Sequence, residues 1–354
     1  MPAAIARNTM ASVRFLFCAA FLCAPALAAD AHPGMEFSHH DWQLVCDNTR
    51  TCRAAGYAPD YGEDGASVLL TRAAGPGQPV AGELQVADDG EPAPAGDLRL
   101  LIDERDLGAL ADPGTQGSHP LSRGQLAALL AALLRDSDIQ VADRKGRRWA
   151  LSDQGAAAVL LKMDDYQGRL DTPGALVRKG RRAEASVLPA LPVPVVVVAK
   201  VLPTRPDDTA LGRSPALRAA LRAALDADPG ECDRFDESAD VPLQVERLDA
   251  HRLLVSAPCW MGAYNSGDAY GVSNDRPPFA PRLVTYDGTG HDAGEIVASQ
   301  KGRGLGDCWG HSSWHWNGEA FVPTSSYQTG MCRGMPGGFW ELPRLVGEVR
   351  RGGD

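Results

Sequence analysis

The sequence predicts an α+β protein of two disulfide-stabilised domains, each with short antiparallel strands and one or two helices, the C-terminal one mostly β. The length of 354 residues exceeds the roughly 150 residues of an average domain and favours two domains over one. Short segments of alternating apolar and polar residues predict strands, and a few longer segments carry the apolar period of helices. An even number of cysteines beyond residue 28 is typical of a disulfide framework.

Residues 1–28 have the features of a secretory signal peptide. Arg7 and Arg14 give a positive start, residues 13–27 are largely apolar, and Ala26-Leu27-Ala28 matches a small-x-small cleavage site. The apolar stretch of about 15 residues is shorter than the roughly 20 that a helix needs to cross a bilayer, which disfavours the alternative of an uncleaved anchor. We therefore expect a periplasmic or secreted protein with no membrane span after signal cleavage.

The charge balance bears on the class of partner. Acidic residues outnumber basic ones by 45 to 35, which gives a formal net charge of −10. The sequence contains no basic patch that would offset the excess of acidic residues. Since nucleic-acid affinity depends on Lys and Arg side chains that neutralise phosphates, the composition argues against a nucleic-acid partner.

The cysteine pattern predicts structural disulfides. Two cysteines fall in the signal segment, and the others are Cys46, Cys52, Cys232, Cys259, Cys308 and Cys332. A redox or metal role is less favoured because no CxxC-like spacing occurs. These cysteines allow many pairings, among which the sequence cannot choose, and the simplest is local: Cys46–Cys52, Cys232–Cys259 and Cys308–Cys332.

We expect the N-terminal α+β domain to cover residues 37–180. Trp42–Cys46 alternates like a strand, residues 47–50 have turn chemistry, and the chain returns through residues 52–57 to complete a hairpin. Further short strands are predicted over residues 67–72, 83–86 and 98–103, and another hairpin over residues 139–151.

Two helices are predicted in the same domain. The first opens with Ser122 and Gln125 at the spacing of a capping box. Its buried stripe would consist of Leu126, Leu129, Leu130, Leu133 and Leu134. Ser152 opens the second helix. The buried face of that helix would hold Ala156, Val159, Leu160 and Met163.

Residues 181–213 form a proline-rich connection, and residues 214–354 are expected to form the C-terminal domain. Within the connection, residues 195–201 are β-branched enough to predict a buried strand. Ser214-Pro215 starts a helix, because the missing N–H of proline has no partner at the first helical position.

Beyond Cys232 we expect only strands and loops. Residues 243–248 and 251–255 are consistent with a hairpin, and residues 283–286 predict a strand that ends at an Asp287-Gly288 turn. Asn317-Gly318 is the strongest hairpin signal in the chain.

Three groups of residues give the sequence a family resemblance: Asp41-Trp42 with Cys46-Asp47-Asn48 and Cys52, Trp149-Ala150-Leu151-Ser152 with Met163-Asp164-Asp165, and Gly306-Asp307-Cys308 with Cys332-Arg333-Gly334. With them the chain resembles an uncharacterised family of exported bacterial proteins, domain of unknown function 1176, over nearly all of its length after the signal. Its N-terminal half is also similar, more weakly, to the invasion-associated locus B proteins. The resemblance implies an exported, disulfide-bonded protein and supplies no catalytic residues.

His311 and His315 are the first candidates for chemistry. On a helix their spacing would suit a metal pair, but the surrounding alternation predicts a strand, on which four residues span about 13 Å. One metal ion with bonds of about 2 Å cannot bridge that distance, so we expect no metal site. No catalytic residue is assigned, because Gly-x-Ser-x-Gly is absent and residues 301–307 lack the ending of a phosphate loop.

Aromatic residues concentrate near the C-terminus: Trp309, Trp314, Trp316, Phe321, Tyr327, Phe339 and Trp340. They form either a surface on which sugar rings or an apolar partner stack, or the core of a β-domain, and the pattern favours the core. Trp314 and Trp316 share the face that we expect to be buried. Trp309, His311 and His315, on the opposite face, are the candidate ligand-binding residues.

The sequence thus predicts an envelope protein without a cofactor, for which a non-catalytic binding or structural role is favoured over an enzymatic one. Its partner would be an envelope glycan or protein. The main alternative is a periplasmic hydrolase that acts on envelope material, with its site in the Trp- and His-rich C-terminal region, and a third possibility is an adhesin-like interaction protein displayed on the surface.

Overall fold

Strands account for most of the regular structure, and nearly all of them pair antiparallel. The computed structural model describes residues 34–59, 65–88, 91–92, 98–114, 117–227 and 232–352. The predicted signal peptide lies outside these residues. Helices are few, so the fold is mostly β in both halves of the described chain, whereas the sequence predicts this only for the C-terminal half.

The N-terminal half contains every strand and hairpin predicted there. Its strands are β1 Met35–His39, β2 Trp42–Cys46, β3 Cys52–Gly56, β4 Gly65–Arg72, β5 Val80–Asp88, β6 Glu91–Pro92, β7 Arg99–Ile102, β8 Arg105–Ala109, β9 His119–Pro120, β10 Ile139–Ala142 and β11 Arg148–Leu151. Strands β1 to β6 form one antiparallel sheet in chain order, with β9 against β5, and β11-β10-β7-β8 form a second sheet.

The β2–β3 hairpin forms for reasons that are local in the sequence. The Asp47 carboxylate accepts hydrogen bonds from the backbone N–H groups of Thr49 and Thr51 at 2.9 and 3.2 Å, which closes the turn. At the other end of the hairpin, Trp42 is fully buried against Gly56. A Cβ atom at residue 56 would lie 2.3 Å from the indole, so only glycine allows this close approach.

The helices are α1 Arg123–Ala132, α2 Ala156–Tyr166, α3 Pro206–Leu211, α4 Pro215–Ala227 and α5 Asp233–Glu237, with one 3-10 turn at Glu184–Ser186. The predicted capping box of α1 is present, and α2 buries the four apolar residues expected of it. Helix α4 begins at the predicted proline. Among the described residues, no helix is long and apolar enough to cross a membrane.

Three expectations about the helices are wrong. Helix α2 begins at Ala156 rather than near Ser152, because Gly155 just before it adopts a left-handed conformation that starts the helix there. Leu134 lies beyond the end of α1 and is 40% exposed. Helix α5 lies beyond Cys232, where only strands and loops are expected, since its single turn is too short for an apolar period to reveal.

The strands of the C-terminal half are β12 Val195–Val198, β13 Gln244–Arg247, β14 Arg252–Met261, β15 Ser266–Asn274, β16 Arg282–Gly288, β17 Gly290–Asp292, β18 Glu295–Lys301, β19 Trp309–Trp316, β20 Phe321–Gln328, β21 Leu342–Val346 and β22 Glu348–Arg351. Strands β13 to β16 and β17 to β21 form two antiparallel meanders. The hairpin at Asn317-Gly318 joins β19 to β20 as predicted. Strand β16, however, continues through the predicted turn at Asp287-Gly288.

Strand β12 is present in the connection but is buried on one face only, at Val196. It pairs in parallel with β22, and its Val195 and Val197 are 45% and 54% exposed. The expectation of a fully buried strand is wrong because β12 belongs to a two-stranded sheet, which has too few neighbours to cover both of its faces.

Three disulfides join Cys46 to Cys52, Cys232 to Cys259 and Cys308 to Cys332. This is the local pairing that the sequence favours. The first lies across the β2–β3 hairpin, and the second attaches the start of α5 to β14. The third joins the residue before β19 to the segment that follows β20.

The segment between β20 and β21 packs on the N-terminal sheet. The Arg333 guanidinium donates to the Asp41 carboxylate at 2.8 Å and to the Ala58 carbonyl at 3.1 Å, and the Tyr57 hydroxyl accepts from the Met331 N–H at 3.2 Å. One core cluster combines residues of both halves: Val45, Ala55, Tyr57, Leu69, Ala87, Met335, Phe339, Trp340 and Leu342. The predicted division into two domains is therefore not confirmed.

Candidate functional site

Strand β19 carries the three residues that the sequence predicts to bind a ligand. The strand lies between β18 and β20, and the register places Ser299, His311 and Tyr327 directly opposite one another across the sheet. Directly opposite residues of antiparallel strands point to the same face, with Cβ atoms about 5 Å apart. This face therefore presents His311 between a hydroxyl group and an aromatic ring.

Three rings stack along this face. The ring centroid of His311 lies 4.6 Å from that of Tyr327 and 5.9 Å from that of Trp309, with interplanar angles of 22° and 15°. The Lys301 ammonium lies 5.3 Å from the Trp309 ring centroid, and the Trp309 Nε1 donates to the Gly306 carbonyl at 2.9 Å. All three rings are half-buried. These contacts orient the rings before any ligand arrives, which lowers the entropic cost of binding.

A cavity of 680 Å³, which we call the cleft, opens beside this stack. His311 and Tyr327 line it on one side, and Arg53, Glu83 and Gln85 of the N-terminal sheet line it on the other. Trp309 stands behind His311 rather than on the lining. The volume falls within the range of about 300 to 1,000 Å³ that is typical of ligand pockets.

Hydrogen bonds and ion pairs hold the polar groups of the cleft in place. The Glu83 carboxylate accepts from the Ser118 hydroxyl at 2.5 Å, and the Arg53 guanidinium pairs with the Asp47 carboxylate at 3.0 Å. Both groups are therefore held in a fixed orientation on the lining.

Burial shifts the two titratable rings toward their neutral forms. It lowers the pKa of His311 below the ordinary value of 6.5, and the negative charge of Glu341, a further lining residue, partly offsets this effect. Burial also raises the pKa of Tyr327, and Glu341 adds to that shift. At neutral pH the cleft therefore presents two uncharged rings surrounded by charged and amide side chains.

The Ser299 hydroxyl lies 2.9 Å from Nδ1 of His311. A hydroxyl beside a neutral imidazole is the first requirement of a nucleophilic site. Among the described residues, however, no carboxylate hydrogen-bonds to His311, so the group that orients the base in a catalytic triad is missing. The contact orients the imidazole, and by itself it does not make a catalytic site.

His315 is not on the lining of the cleft. Its Nδ1 lies 2.8 Å from the Thr324 hydroxyl, and its Nε2 lies 3.7 Å from the Glu295 carboxylate. The structure thus brings Trp309 and His311 together and gives His315 a separate set of partners.

The potential metal ligands that lie closest together in the described part of the chain are Asp307, Cys308 and Cys332. The two sulfur atoms are bonded to each other, which removes the thiolates that a metal would need. Asp307 accepts a hydrogen bond from the Gly334 N–H at 2.7 Å and pairs with Arg303. The group is therefore a structural link.

Most of the aromatic residues belong to the core, and several of them also line a cavity. Trp316, Phe321, Phe339 and Trp340 are buried, as the core interpretation predicts, although Phe339 and Trp340 also line the cleft. Trp309, Trp314 and Tyr327 are half-buried. Tyr327 reaches the cleft, and Trp314 lines a different cavity on the opposite face of the sheet.

Sequence patterning does not identify Arg53, Glu83 and Gln85 as site residues. Their one local signal is that polar side chains interrupt otherwise apolar strands. Which strand face they occupy, and what they meet across the cleft, depends on the return of the C-terminal segment to the N-terminal sheet.

Three residues of the family resemblance, Asp41, Asn48 and Arg333, join the two halves. Asp41 pairs with Arg333, and the side-chain amide of Asn48 bonds the Val346 backbone twice, at 3.0 and 2.7 Å. None of these residues is on the lining of the cleft. Their chemistry is that of structural attachment.

Comparison with known proteins confirms the resemblance to the family of unknown function. The model of a family described as "Protein of unknown function (DUF1176)" matches residues 36–346. The uncharacterized protein YpfG of Escherichia coli strain K12 is 25% identical over 312 residues, which cover 79% of this chain and 84% of that protein. No solved structure matches the chain.

Proposed function

This chain belongs to that family of unknown function, and we propose a role for it from its own surface. The protein is an exported, non-catalytic protein that binds an envelope glycan in the cleft. The observation that carries the proposal is the half-buried pair of stacked rings, His311 and Tyr327, on the lining. A sugar ring offers an apolar C–H face that packs on such rings and a rim of hydroxyl groups.

The opposite wall of the cleft suits the rim of that sugar. The carboxylate of Glu83 supplies acceptors, while the guanidinium of Arg53 supplies donors. A few polar groups around an aromatic surface are the usual composition of a small-molecule site.

Export is supported by two further observations. The described residues hold three disulfides, which persist in oxidising compartments, and residues 1–28 have a signal-like composition. The expected likeness of the N-terminal half to invasion-associated locus B proteins stays a prediction and would fit an exported binding protein.

Replacing Tyr327 with alanine tests the proposed binding. Soluble muropeptides released from bacterial peptidoglycan are titrated into the wild type and into Tyr327→Ala by calorimetry. Loss of the ring contact is expected to weaken binding about five- to tenfold. Tyr264→Ala is the matched control, because Tyr264 is 48% exposed and lies off the cleft lining.

Equal affinities of the wild type and Tyr327→Ala would contradict the assignment of the cleft. The assignment would also be contradicted if the wild type bound neither muropeptides nor lipopolysaccharide core oligosaccharides. Trp309→Ala should weaken binding less than Tyr327→Ala, because Trp309 supports His311 from behind.

The alternative is a hydrolase of envelope material, and the contact between Ser299 and His311 is the observation that favours it. A hydrolase would release fragments from isolated peptidoglycan, and Ser299→Ala would abolish that release while leaving muropeptide binding intact. Under the binding proposal, the wild type releases no fragments and Ser299→Ala changes affinity only modestly.

A further inference from the structure

A second cavity, of 480 Å³, lies on the other side of β19. Trp314 and His311 are three residues apart on this strand and point to opposite faces of the sheet. The second cavity therefore does not share the aromatic surface of the cleft.

The lining of the second cavity is mostly apolar. Val272, Val284, Trp314 and Phe321 belong to one core cluster, and of these four only Phe321 is buried, whereas the other three are partly exposed. Apolar side chains that face an open cavity keep contact area available for a ligand. The volume again lies within the range of about 300 to 1,000 Å³ found for small-molecule sites.

Two arginines and one carboxylate supply the charge of this lining. Arg252 already has several partners. Its guanidinium pairs with the Asp249 carboxylate at 2.8 Å and lies over the Trp316 ring. It also donates hydrogen bonds to the Gly318 and Glu319 carbonyls. Arg282 is exposed, and among the described residues it forms no ion pair and no side-chain hydrogen bond. The carboxylate, Glu319, is exposed.

Arg282 is therefore a free guanidinium beside an apolar surface. The surplus of cations on this lining runs against the chain as a whole, in which 45 acidic residues face 35 basic ones. A guanidinium forms two parallel hydrogen bonds with a carboxylate, and these are stronger than bonds between neutral groups. This charge complementarity selects an anion as the polar part of the ligand.

We propose that this cavity binds an amphiphilic carboxylate. Its apolar body packs on Val284, Trp314 and Phe321, and its carboxylate pairs with Arg282. The class includes short fatty acids and aromatic acids. The site is separate from the proposed glycan cleft and does not depend on it.

Octanoate and 1-octanol serve as the probes, since they share a chain of eight carbons and differ in charge. Calorimetry at pH 7.5 is expected to show that the wild type binds octanoate more tightly than octanol. Arg282→Met should weaken octanoate binding about tenfold and leave octanol binding unchanged, because only the carboxylate uses the guanidinium. Arg123→Met is the matched control, an exposed arginine at the start of α1.

A second variant tests the apolar part of the site without changing its charge. Ala320 is exposed on the lining, so Ala320→Trp should fill the cavity and weaken both probes while the fold, followed by circular dichroism, stays intact. Tyr327→Ala should leave octanoate binding unchanged, which separates this site from the cleft. The proposal is overturned if the wild type does not bind octanoate, if Arg282→Met binds it as well as the wild type, or if octanol binds equally tightly.

Discussion

His311 contacts three neighbouring side chains at once. Its imidazole accepts or donates a hydrogen bond at Ser299 and stacks with both Trp309 and Tyr327. Burial among these groups lowers its pKa below the ordinary 6.5. Protonation therefore takes place more readily in the unfolded chain than in the folded one.

This shift predicts a pH dependence of stability. The contribution of neutral His311 is fully present above about pH 6.5 and decreases as the pH falls below that value, because the unfolded state then binds the proton first. Chemical denaturation at pH 7.5 and at pH 5.5 measures this effect. The decrease in unfolding free energy from pH 7.5 to pH 5.5 should be smaller for His311→Gln than for the wild type. His251→Gln, a variant at an exposed histidine, should keep the wild-type dependence. A His311→Gln variant as pH-sensitive as the wild type would argue against a depressed pKa.

At the scale of elements, β19 is held at its start by residues that follow β20. The Thr329 N–H donates to the Trp309 carbonyl at 2.9 Å, and the Thr329 hydroxyl accepts from the Trp309 N–H at 2.8 Å. The Cys308–Cys332 disulfide joins the same two stretches covalently. The ring stack of the cleft begins at this attachment.

Removing this disulfide should therefore destabilise the region. The Cys308→Ser, Cys332→Ser double variant is expected to lose about 2–5 kcal/mol of unfolding free energy, because the bond restricts a loop in the unfolded chain. Denaturation followed by tryptophan fluorescence measures the loss. The wild type treated with reductant should show the same direction of change, and an unchanged midpoint in the double variant would refute the expectation.

At the scale of the whole molecule, the C-terminal segment attaches to the N-terminal sheet through buried and exposed ion pairs. Arg333 and Asp41 have side chains only 4% and 17% exposed, whereas Arg344 and Glu36 are 55% and 40% exposed at a similar distance of 3.1 Å. A buried charged side chain that loses its ion-pair partner lowers the free energy of unfolding far more than an exposed one does.

This contrast predicts different losses for two similar substitutions. Arg333→Met should lower the unfolding free energy by about 3 kcal/mol, since Asp41 loses its partner in a largely buried place. Arg344→Met, the matched control, should cost about 0–1 kcal/mol. Urea denaturation at neutral pH measures both, and equal costs would mean that the buried pair does not attach the segment.

Local chemistry in the sequence accounts for much of the fold. The capping box at Ser122, the hairpin at Asn317-Gly318 and the alternation of residues 42–46 all predict elements that the structure contains. Expectations are wrong where burial depends on distant neighbours, as at Leu134 and Val197. For the candidate site, the stretch around Trp309 and His311 is visible in the sequence, and the residues opposite it are not.

The amino-acid sequence by itself predicted many of the strands and the capping box of α1, and it made local disulfide pairing the simplest choice, because each depends on residues within a few tens of positions of one another. Only the tertiary structure decided that the C-terminal segment returns to the N-terminal sheet, which places Glu83 and Gln85 across from His311. It also decided that Arg282 lies beside an apolar cavity. The physical reason is that burial and pairing between distant segments depend on side-chain contacts in three dimensions, and the period of a strand shows which residues share a face but not what that face will meet.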